Sequence, residues 1–257
     1  MNNDNGIINN LMFKSSLGED VDQEVPIFPL ISYNPDRNIW KCVGTGFFIQ
    51  PLGGFVTAKH VFYDNSGRHL PTLYAVQTTS GGERHIRVLK HFVPHPNADI
   101  AVGFLGRRRL PNGVSVTPEV SVPLTLNFEK QIIGNSIRTY AFPLTEREAL
   151  GDGTFELTFG GKWATGAIID YHEDGSSIVR NRCYQTTMKI EHGASGGPVL
   201  RNDLVIGVNS SGMNVLEGQA PISFITPIDL ILDLSVPEGG EQIPIKMLIE
   251  KGIIAAK

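Results

Sequence analysis

The chain has 257 residues, 41% of them apolar and 19% charged, and 22 basic side chains against 26 acidic ones give a net charge of −4. This composition is typical of a globular protein with one large domain or two small ones. The charge excludes the strongly basic profile of many nucleic-acid binders. No apolar run approaches the length of a membrane-spanning helix, and residues 1–25 lack a signal-peptide pattern. We therefore expect a cytoplasmic protein that binds neither nucleic acid nor membrane.

The predicted elements begin after a polar, Asn-rich segment over residues 1–24, expected to be a loose arm or a short helix around residues 11–13. From Val25 onward, short runs rich in Val, Ile, Phe and Thr alternate with Gly, Pro, Asn and Asp, which is typical of strands and turns. The predicted strands are 27–33, 40–49, 54–58, 74–78, 84–91, 100–105, 136–142, 154–161, 162–169, 183–187, 198–200, 204–210 and 222–226. Many short strands at regular spacing favour an all-β sandwich or barrel.

The chain divides at residues 110–126, which have no clear period and separate two groups of strands. We predict an N-terminal β-barrel over residues 25–109, the connector 110–126, a C-terminal β-barrel over 127–235 and a tail over 236–257. Ile245, Leu248 and Ile249 recur at helical spacing after Pro244 and predict one short helix in the tail. Cys42 and Cys183 make no disulfide framework, so we expect both to be reduced and buried.

A single serine, Ser195, lies among glycines in residues 192–200, just before a predicted strand. Glycine permits positive φ and close approach of other groups, so such a turn can present a hydroxyl and a backbone N–H to one point. Acyl transfer needs that combination of a nucleophile and oxyanion donors. An ordinary turn between strands has the same pattern, so the hypothesis requires a base and an acid elsewhere.

Among the seven histidines, His60 has the most suggestive context. An apolar strand over residues 54–58 runs into it and would hold it rigidly at the edge of a cleft. His91 and His95 could suggest a metal pair, but Pro94 and Pro96 prevent the helix that would place them on one face. No Cys or acidic cluster completes a ligand set, so we predict no metal site.

The candidate acid is Asp99, which directly precedes the apolar residues 100–102. A carboxylate there is costly to bury unless an imidazole and backbone N–H groups meet it. An aspartate that merely starts a strand at a turn fits the pattern equally well. Asp64, the local competitor, lies in a sequence typical of an exposed turn.

The order of these motifs resembles that of the trypsin-like serine proteases, which have the chymotrypsin fold. Residues 57–60 match the family's T-A-x-H, residues 99–102 its D-[IL]-A-[VL], and residues 193–198 its G-x-S-G-G-P. Residues 44–49 are similar to the G-[ST]-G-F strand of bacterial members, and residues 206–212 to the strand lining the substrate cleft. The resemblance covers residues 25–227. It implies two six-stranded antiparallel β-barrels with the active site between them.

The resemblance implies a serine endopeptidase that cleaves a polypeptide substrate through an acyl-enzyme intermediate and needs no cofactor. Ser195 would be the nucleophile, His60 the general base, and Asp99 the acid that orients the imidazole. The backbone N–H groups of Gly193 and Ser195 would form the oxyanion hole. The segment 210–212 would pair with the substrate backbone as an added strand. The implied substrate-binding residues are Lys189, Ile190, His192, Ser210, Ser211, Gly212 and Ile222.

The resemblance leaves two predictions for the P1 residue of the substrate. Lys189 falls near the base of the S1 pocket, and Ile222 falls where deep pockets have glycine. Ile190 and Ile222 would make the pocket shallow and apolar, which favours a small aliphatic P1 residue. Lys189 and His192 would instead favour an acidic one.

The sequence departs from the digestive, zymogen-activated members of this family and is more similar to HtrA-like and other bacterial trypsin-like peptidase domains. We expect a protease domain without a PDZ domain. Ala194 stands where zymogen-activated members have an aspartate, and Val61 where they have a cysteine. We therefore expect no activation by an N-terminal ion pair. The alternatives are a catalytically silent module that binds a protein partner, a protease gated by an effector that orders residues 187–193, and an unrelated β-barrel binding protein.

Overall fold

The computed structural model describes residues 13–14, 18–35, 39–106, 121–149, 155–213 and 219–257. The helix expected around residues 11–13 lies mostly outside these ranges, and its described end is not helical. Phe13–Lys14 (β1) instead pairs antiparallel with Asp20–Val21 (β2). The connector predicted over residues 110–126 is described only from Ser121 onward.

The first barrel is closed by six antiparallel strands in the order β3-β4-β5-β8-β7-β6. They are Ile27–Asn34 (β3), Ile39–Phe48 (β4), Gly54–Thr57 (β5), Leu73–Thr78 (β6), Arg84–Pro94 (β7) and Ala101–Leu105 (β8). Pairing of β3 with β6 closes the ring. Phe28, Phe48 and Phe55 are fully buried, and the ring of Phe28 lies 4.5 Å from that of Phe48 and 5.4 Å from that of Phe55. These aromatic contacts fill the interior of the barrel.

The second barrel has the strand order β10-β11-β14-β13-β12-β9 and is also closed. Its strands are Ser136–Ala149 (β9), Phe155–His172 (β10), Cys183–Thr186 (β11), Pro198–Arg201 (β12), Leu204–Met213 (β13) and Ile222–Pro227 (β14). The predicted strands 154–161 and 162–169 form the single strand β10, because the break suggested by two glycines is a bulge between Gly160 and Lys162. A Cβ at Gly161 would overlap the Tyr140 hydroxyl, so this position needs glycine.

The two barrels confirm the predicted all-β architecture. After them come the hairpin of Ser235–Glu238 (β15) and Glu241–Pro244 (β16) and the helix Ile245–Glu250 (α1), which confirms the predicted C-terminal helix. Short 3₁₀ helices span Lys59–Phe62 and Ile228–Asp233. Across the described ranges, no helix is long and apolar enough to cross a membrane.

One apolar cluster joins both barrels and the tail. It contains Ile27 and Val102 from the first barrel, Phe142 and Val208 from the second, and Ile245 from α1. This continuous packing fixes the two barrels against each other, so residues at their junction hold a defined geometry.

The two cysteines are both free. Cys183 is buried as expected, whereas Cys42 is only half-buried. Burial raises the pKa of both thiols, which keeps them in the protonated form that reacts slowly with oxidants and electrophiles.

Candidate active site

His60 lies where β5 leaves the first barrel and turns into the 3₁₀ helix Lys59–Phe62. The next two residues, Val61 and Phe62, are buried and anchor this turn in the apolar core of the barrel. The His60 side chain remains 47% exposed. A rigid strand therefore delivers an imidazole to solvent, as the sequence predicts.

Asp99 is brought to His60 by the antiparallel pairing of β5 with β8, in which Thr57 lies opposite Ala101. The end of one strand thus adjoins the start of the other. Oδ2 of Asp99 lies 2.9 Å and Oδ1 3.0 Å from Nδ1 of His60. The backbone N–H of His60 also donates to Oδ1 at 3.0 Å. The carboxylate, 22% exposed, is held from two directions by one histidine.

The pKa of His60 reflects two opposing effects. Burial lowers it, but the hydrogen bond and the negative charge of Asp99 raise it more, so the pKa lies above its usual value. The neutral ring bonded to Asp99 through Nδ1–H has Nε2 as its proton acceptor. Such a histidine can take a proton from a neighbouring hydroxyl.

The loop before Asp99 is held by His95 and Lys59. Nδ1 of the buried His95 accepts the N–H of Ala98 at 2.8 Å, and Nζ of Lys59 donates to the carbonyl of His95 at 2.8 Å. His95 therefore shapes the loop. Among the described residues, no three His, Cys, Asp or Glu side chains are grouped to hold a metal ion.

The competing acid, Asp64, is engaged within its own turn. Its Oδ1 accepts hydrogen bonds from the hydroxyl and N–H of Ser66, at 2.6 and 2.8 Å. These bonds and those from Arg68 hold its pKa far below the usual range. Asp64 caps an exposed turn, and Asp99 is the carboxylate paired with His60.

Ser195 lies in the loop before β12 and is half-buried. Its carbonyl accepts the N–H of Thr45 on β4 at 2.8 Å. The N–H of Gly196 donates to Asn209 at 2.7 Å, and the N–H of Asn209 donates to Gly197 at 3.0 Å. The serine is thereby fastened to the first barrel on one side and to β13 on the other.

The same loop packs against the residues that precede His60. A Cβ at Gly196 would overlap Oγ1 of Thr57 and lie 2.8 Å from the nitrogen of Ala58. Only glycine permits this approach. The loop that carries Ser195 and the turn that carries His60 are therefore in direct contact.

Gly193 has φ of +87° and is the third residue of a turn in which the N–H of Ala194 donates to the carbonyl of Glu191 at 3.0 Å. This is the geometry of a type II turn, which favours glycine at its third position. A Cβ there would also lie 2.5 Å from the carbonyl oxygen of Phe142. Among the described residues, neither the N–H of Gly193 nor that of Ser195 has an acceptor. Two backbone donors beside the serine are available to an oxyanion.

Ala194 is buried, and its carbonyl is held by Asn209. Nδ2 of the fully buried Asn209 donates to that carbonyl at 3.1 Å and to Oγ1 of Thr139 at 2.8 Å. Asn209 was not among the predicted site residues. Its position just before Ser210 in a strand carries no signal that its side chain turns back toward residue 194.

The two basic residues predicted in the specificity pocket are exposed. The Lys189 side chain is 67% exposed, and its Nζ lies 2.8 Å from Oε1 of Glu191. Nζ of Lys162 lies 3.1 Å from the other oxygen of Glu191. The two lysines lower the pKa of Glu191. Glu191 therefore neutralises the charge that Lys189 would offer an acidic substrate, and His192 lies exposed beside them.

The segments that contain Ile190 and Gly212 touch. A Cβ at Gly212 would overlap the carbonyl oxygen of Ile190 and lie 3.2 Å from its Cβ. Gly212 follows Ser211 near the end of β13. Little room separates these two segments, both of which are expected to bind the substrate.

The structure does not bring Ile222 and Ile190 into the same apolar cluster. Ile222 packs against Val179, Cys183 and Phe224, whereas Ile190 packs against the core of the second barrel. Side chains alternate along a strand, so Ile222 shares a face with Phe224, and Ser223 points the other way. Ser223, fully buried, is the residue paired with Gly212.

Ser210 is linked to Asp99 through two intermediate side chains. Its Oγ lies 2.6 Å from Oγ1 of Thr226, and Nδ2 of Asn181 donates to that Oγ1 at 3.2 Å. Oδ1 of Asn181 in turn accepts the N–H of Asp99 at 3.0 Å. The second barrel thus supports the acid through Asn181, a residue that no sequence motif marks.

Comparisons with known proteins agree with this architecture. The family model described as Trypsin matches residues 31–234, and a search of curated protein sequences finds no significant match. The structure is similar to the Rv3671c protease from M. tuberculosis in its active form, at 18% identity over 84% of this chain and 85% of that one, with a TM-score of 0.52. It is also similar to Deg5, at 20% identity over 80% of this chain and 85% of Deg5, with a TM-score of 0.54.

The HtrA-type protease AlgW, solved with a tripeptide, is similar at 18% identity and a TM-score of 0.57. The match covers 90% of this chain and 62% of AlgW. At these sequence identities, the similarity to the solved structures shows the fold alone. Because the family match spans most of the residues, the chain belongs to the trypsin family of serine endopeptidases.

Proposed function

We propose that this chain cleaves peptide bonds through a catalytic triad of His60, Asp99 and Ser195 and an acyl-enzyme intermediate. The observation that carries the proposal is the pairing of Asp99 with Nδ1 of His60 at 2.9 Å, beside the loop that holds Ser195. A carboxylate, an imidazole and a serine in this order are the parts that acyl transfer to a serine requires.

In the proposed reaction, Oγ of Ser195 attacks the scissile carbonyl carbon while Nε2 of His60 takes its proton. His60 then protonates the leaving amine, and water releases the acyl group by the reverse sequence. Asp99 keeps the imidazole in the required tautomer and stabilises the imidazolium. Oγ of Ser195 has no hydrogen-bond partner among the described residues; in the proposed reaction its hydrogen bond to Nε2 of His60 forms in the complex with substrate.

The oxyanion of the tetrahedral intermediate is stabilised by the N–H groups of Gly193 and Ser195. Their lack of acceptors among the described residues supports this role. A single donor of this kind contributes about 3 kcal/mol to the lowering of the barrier.

The substrate backbone pairs with β13 beyond Asn209. In the described part of the chain, Ser211 and Gly212 pair only with β14, so their other edge is open to an added strand. The P1 residue is small and aliphatic. The contact of Gly212 with Ile190 and the pairing of Lys189 with Glu191 support this preference over an acidic one.

A fluorophosphonate probe and casein digestion test the catalytic assignment. Wild type should label at Ser195 and cleave casein, and Ser195→Ala should do neither while keeping the wild-type melting temperature. His60→Ala should fold and label at least 100-fold more slowly, because the serine loses its base. A folded wild type that neither labels nor cleaves overturns the proposal and favours a catalytically silent binding module.

A peptide library that varies only P1 tests the specificity. Cleavage should be fastest after Ala and Val. Faster cleavage after Asp or Glu would favour the acidic reading, and cleavage after Arg or Lys would overturn both.

A further inference from the structure

Thr45 contacts both residues whose backbone N–H groups are the proposed oxyanion donors. Its hydroxyl donates to the carbonyl of Gly193 at 2.8 Å, and its N–H donates to the carbonyl of Ser195 at 2.8 Å. The same hydroxyl accepts the N–H of Phe142 at 3.1 Å. Thr45 is fully buried on β4, so water does not compete for these bonds.

We infer that Thr45 is a positioning residue that fixes the two oxyanion donors relative to the first barrel. In Gly193 and in Ser195, Thr45 holds the carbonyl of the same residue whose N–H is the oxyanion donor. The direction of each N–H relative to that carbonyl depends only on the φ and ψ of the residue. Apart from the turn hydrogen bond between Ala194 and Glu191, little restricts the two angles of Gly193, because glycine has no side chain.

Thr45 also connects the loop to the element that carries the base. Its carbonyl accepts Oγ1 of Thr57 at 2.7 Å, and Thr57 ends the strand that leads into His60. One residue thus connects the loop that carries the oxyanion donors and the nucleophile to the strand that leads to the base. This inference rests on the proposed function, since it assigns a residue to the same site.

The hydroxyl is specifically required because it both donates and accepts. Serine can make both bonds, whereas valine has the shape of threonine and can make neither. Thr45→Val leaves the buried N–H of Phe142 and the half-buried carbonyl of Gly193 without partners, which displaces the loop. Because the donors act on the developing charge, the loss should fall on kcat rather than on KM.

Steady-state kinetics on a P1-Ala or P1-Val peptide test the inference. We expect Thr45→Val to lower kcat roughly 10- to 100-fold with KM within about twofold, and Thr45→Ser to remain within about threefold of wild type. A peptide aldehyde, whose adduct with Ser195 places an oxygen at the oxyanion site, should bind Thr45→Val more weakly by the factor lost in kcat/KM. The unreacted peptide should bind equally to Ser195→Ala with and without Thr45→Val.

Thr79→Val is the matched control for loss of a buried threonine hydroxyl. Oγ1 of Thr79 accepts the N–H of Glu83 at 3.1 Å in the β6–β7 hairpin, so this variant should lose stability and keep kcat. Rates are divided by the natively folded fraction. Thr45→Val with wild-type kcat, or Thr45→Ser as slow as Thr45→Val, overturns the inference. If the wild type itself neither reacts with the fluorophosphonate probe nor cleaves casein, the proposed function is wrong, and the positioning role of Thr45 is wrong with it.

Discussion

The side-chain amide of Asn209 donates to the carbonyl of Ala194 at 3.1 Å and so holds the nucleophile loop from within the second barrel. Ala194 stands where zymogen-activated relatives of the fold would have an aspartate that pairs with a new N-terminus. Here a neutral amide that is already in place supports the same position.

Asn209→Asp should destabilise the protein by about 3 kcal/mol at pH 7.5, because it turns a buried donor into a carboxylate facing a carbonyl. Burial raises the pKa of this acid in the folded state above its unfolded value. The protonated acid can donate to Ala194, so the variant should be closest to wild type at low pH and lose stability as pH rises through the raised pKa. Urea unfolding of both proteins at pH 4.5 and 7.5 measures the difference. A deficit that is equal at both pH values would contradict the role of the donor.

Asp99→Asn should lower kcat on the order of 10⁴-fold with KM little changed, because an amide at this position selects the wrong tautomer of His60. The carboxylate contacts Nδ1 at 2.9 Å and the backbone N–H of the same residue at 3.0 Å. Peptide hydrolysis measures the effect, with Ser195→Ala as the floor. A loss below tenfold would indicate that Asp99 only starts the strand.

The activity should fall as the pH is lowered through the pKa of His60, because only the neutral imidazole accepts the serine proton. The pairing with Asp99 raises this pKa, so the midpoint of kcat/KM should lie above 6.5, the ordinary value. NMR titration of the His60 ring in Ser195→Ala should give a midpoint on the same side of 6.5. A midpoint below 6.5 in either measurement would mean that burial outweighs Asp99.

The sequence predicts the parts of the site that lie within short motifs. His60 at the end of an apolar strand and Asp99 before another are local patterns, and antiparallel pairing of those strands brings them together. Ser195 is also predicted from a local pattern, because glycines on both sides of it indicate a tight loop. The resemblance to a family then supplies the two-barrel fold, which composition and periodicity leave as any sandwich or barrel.

The supporting residues could not be predicted, because their contacts are made by folding. Asn181 reaches Asp99 across 82 residues, and Thr45 reaches Gly193 across 148. Neither pairing leaves a pattern in the chain. The face of the strand on which Ile222 lies could not be predicted for another reason. A shift of one residue along a strand moves the side chain to the other face, and spacing alone did not distinguish Ile222 from Ser223.

Glu191→Gln should make acidic P1 residues more acceptable. Glu191 pairs with Lys189 at 2.8 Å and with Lys162 at 3.1 Å, so removing its charge leaves Lys189 free to meet a substrate carboxylate. Because Lys189 is 67% exposed, solvent screens the attraction, and we expect kcat/KM for P1-Glu over P1-Ala to rise only about fivefold. The P1 library measures this ratio, with Glu173→Gln as a surface control. An unchanged ratio would place Lys189 outside the pocket.

Arg87→Met should destabilise the first barrel by about 3 kcal/mol without altering kcat per folded molecule. The guanidinium is buried and donates to Oε1 of Gln77 at 2.7 Å and to the carbonyl of Gly106 at 3.0 Å. Methionine fills similar space but leaves these acceptors buried without donors. Arg87 packs against Gly53, the residue before β5, whereas His60 follows the other end of that strand, so the site should be spared.

Urea unfolding and active-site titration of Arg87→Met separate the two effects. Arg87→Lys should fall between wild type and Arg87→Met, because an ammonium keeps the charge but cannot reproduce the planar fork of donors. The pKa of Arg87 is lowered by burial, yet the guanidinium stays charged at neutral pH. Its neutral partners therefore stabilise a cation that burial alone would disfavour. A stability equal to wild type in Arg87→Met would mean that apolar packing at this position outweighs the hydrogen bonds.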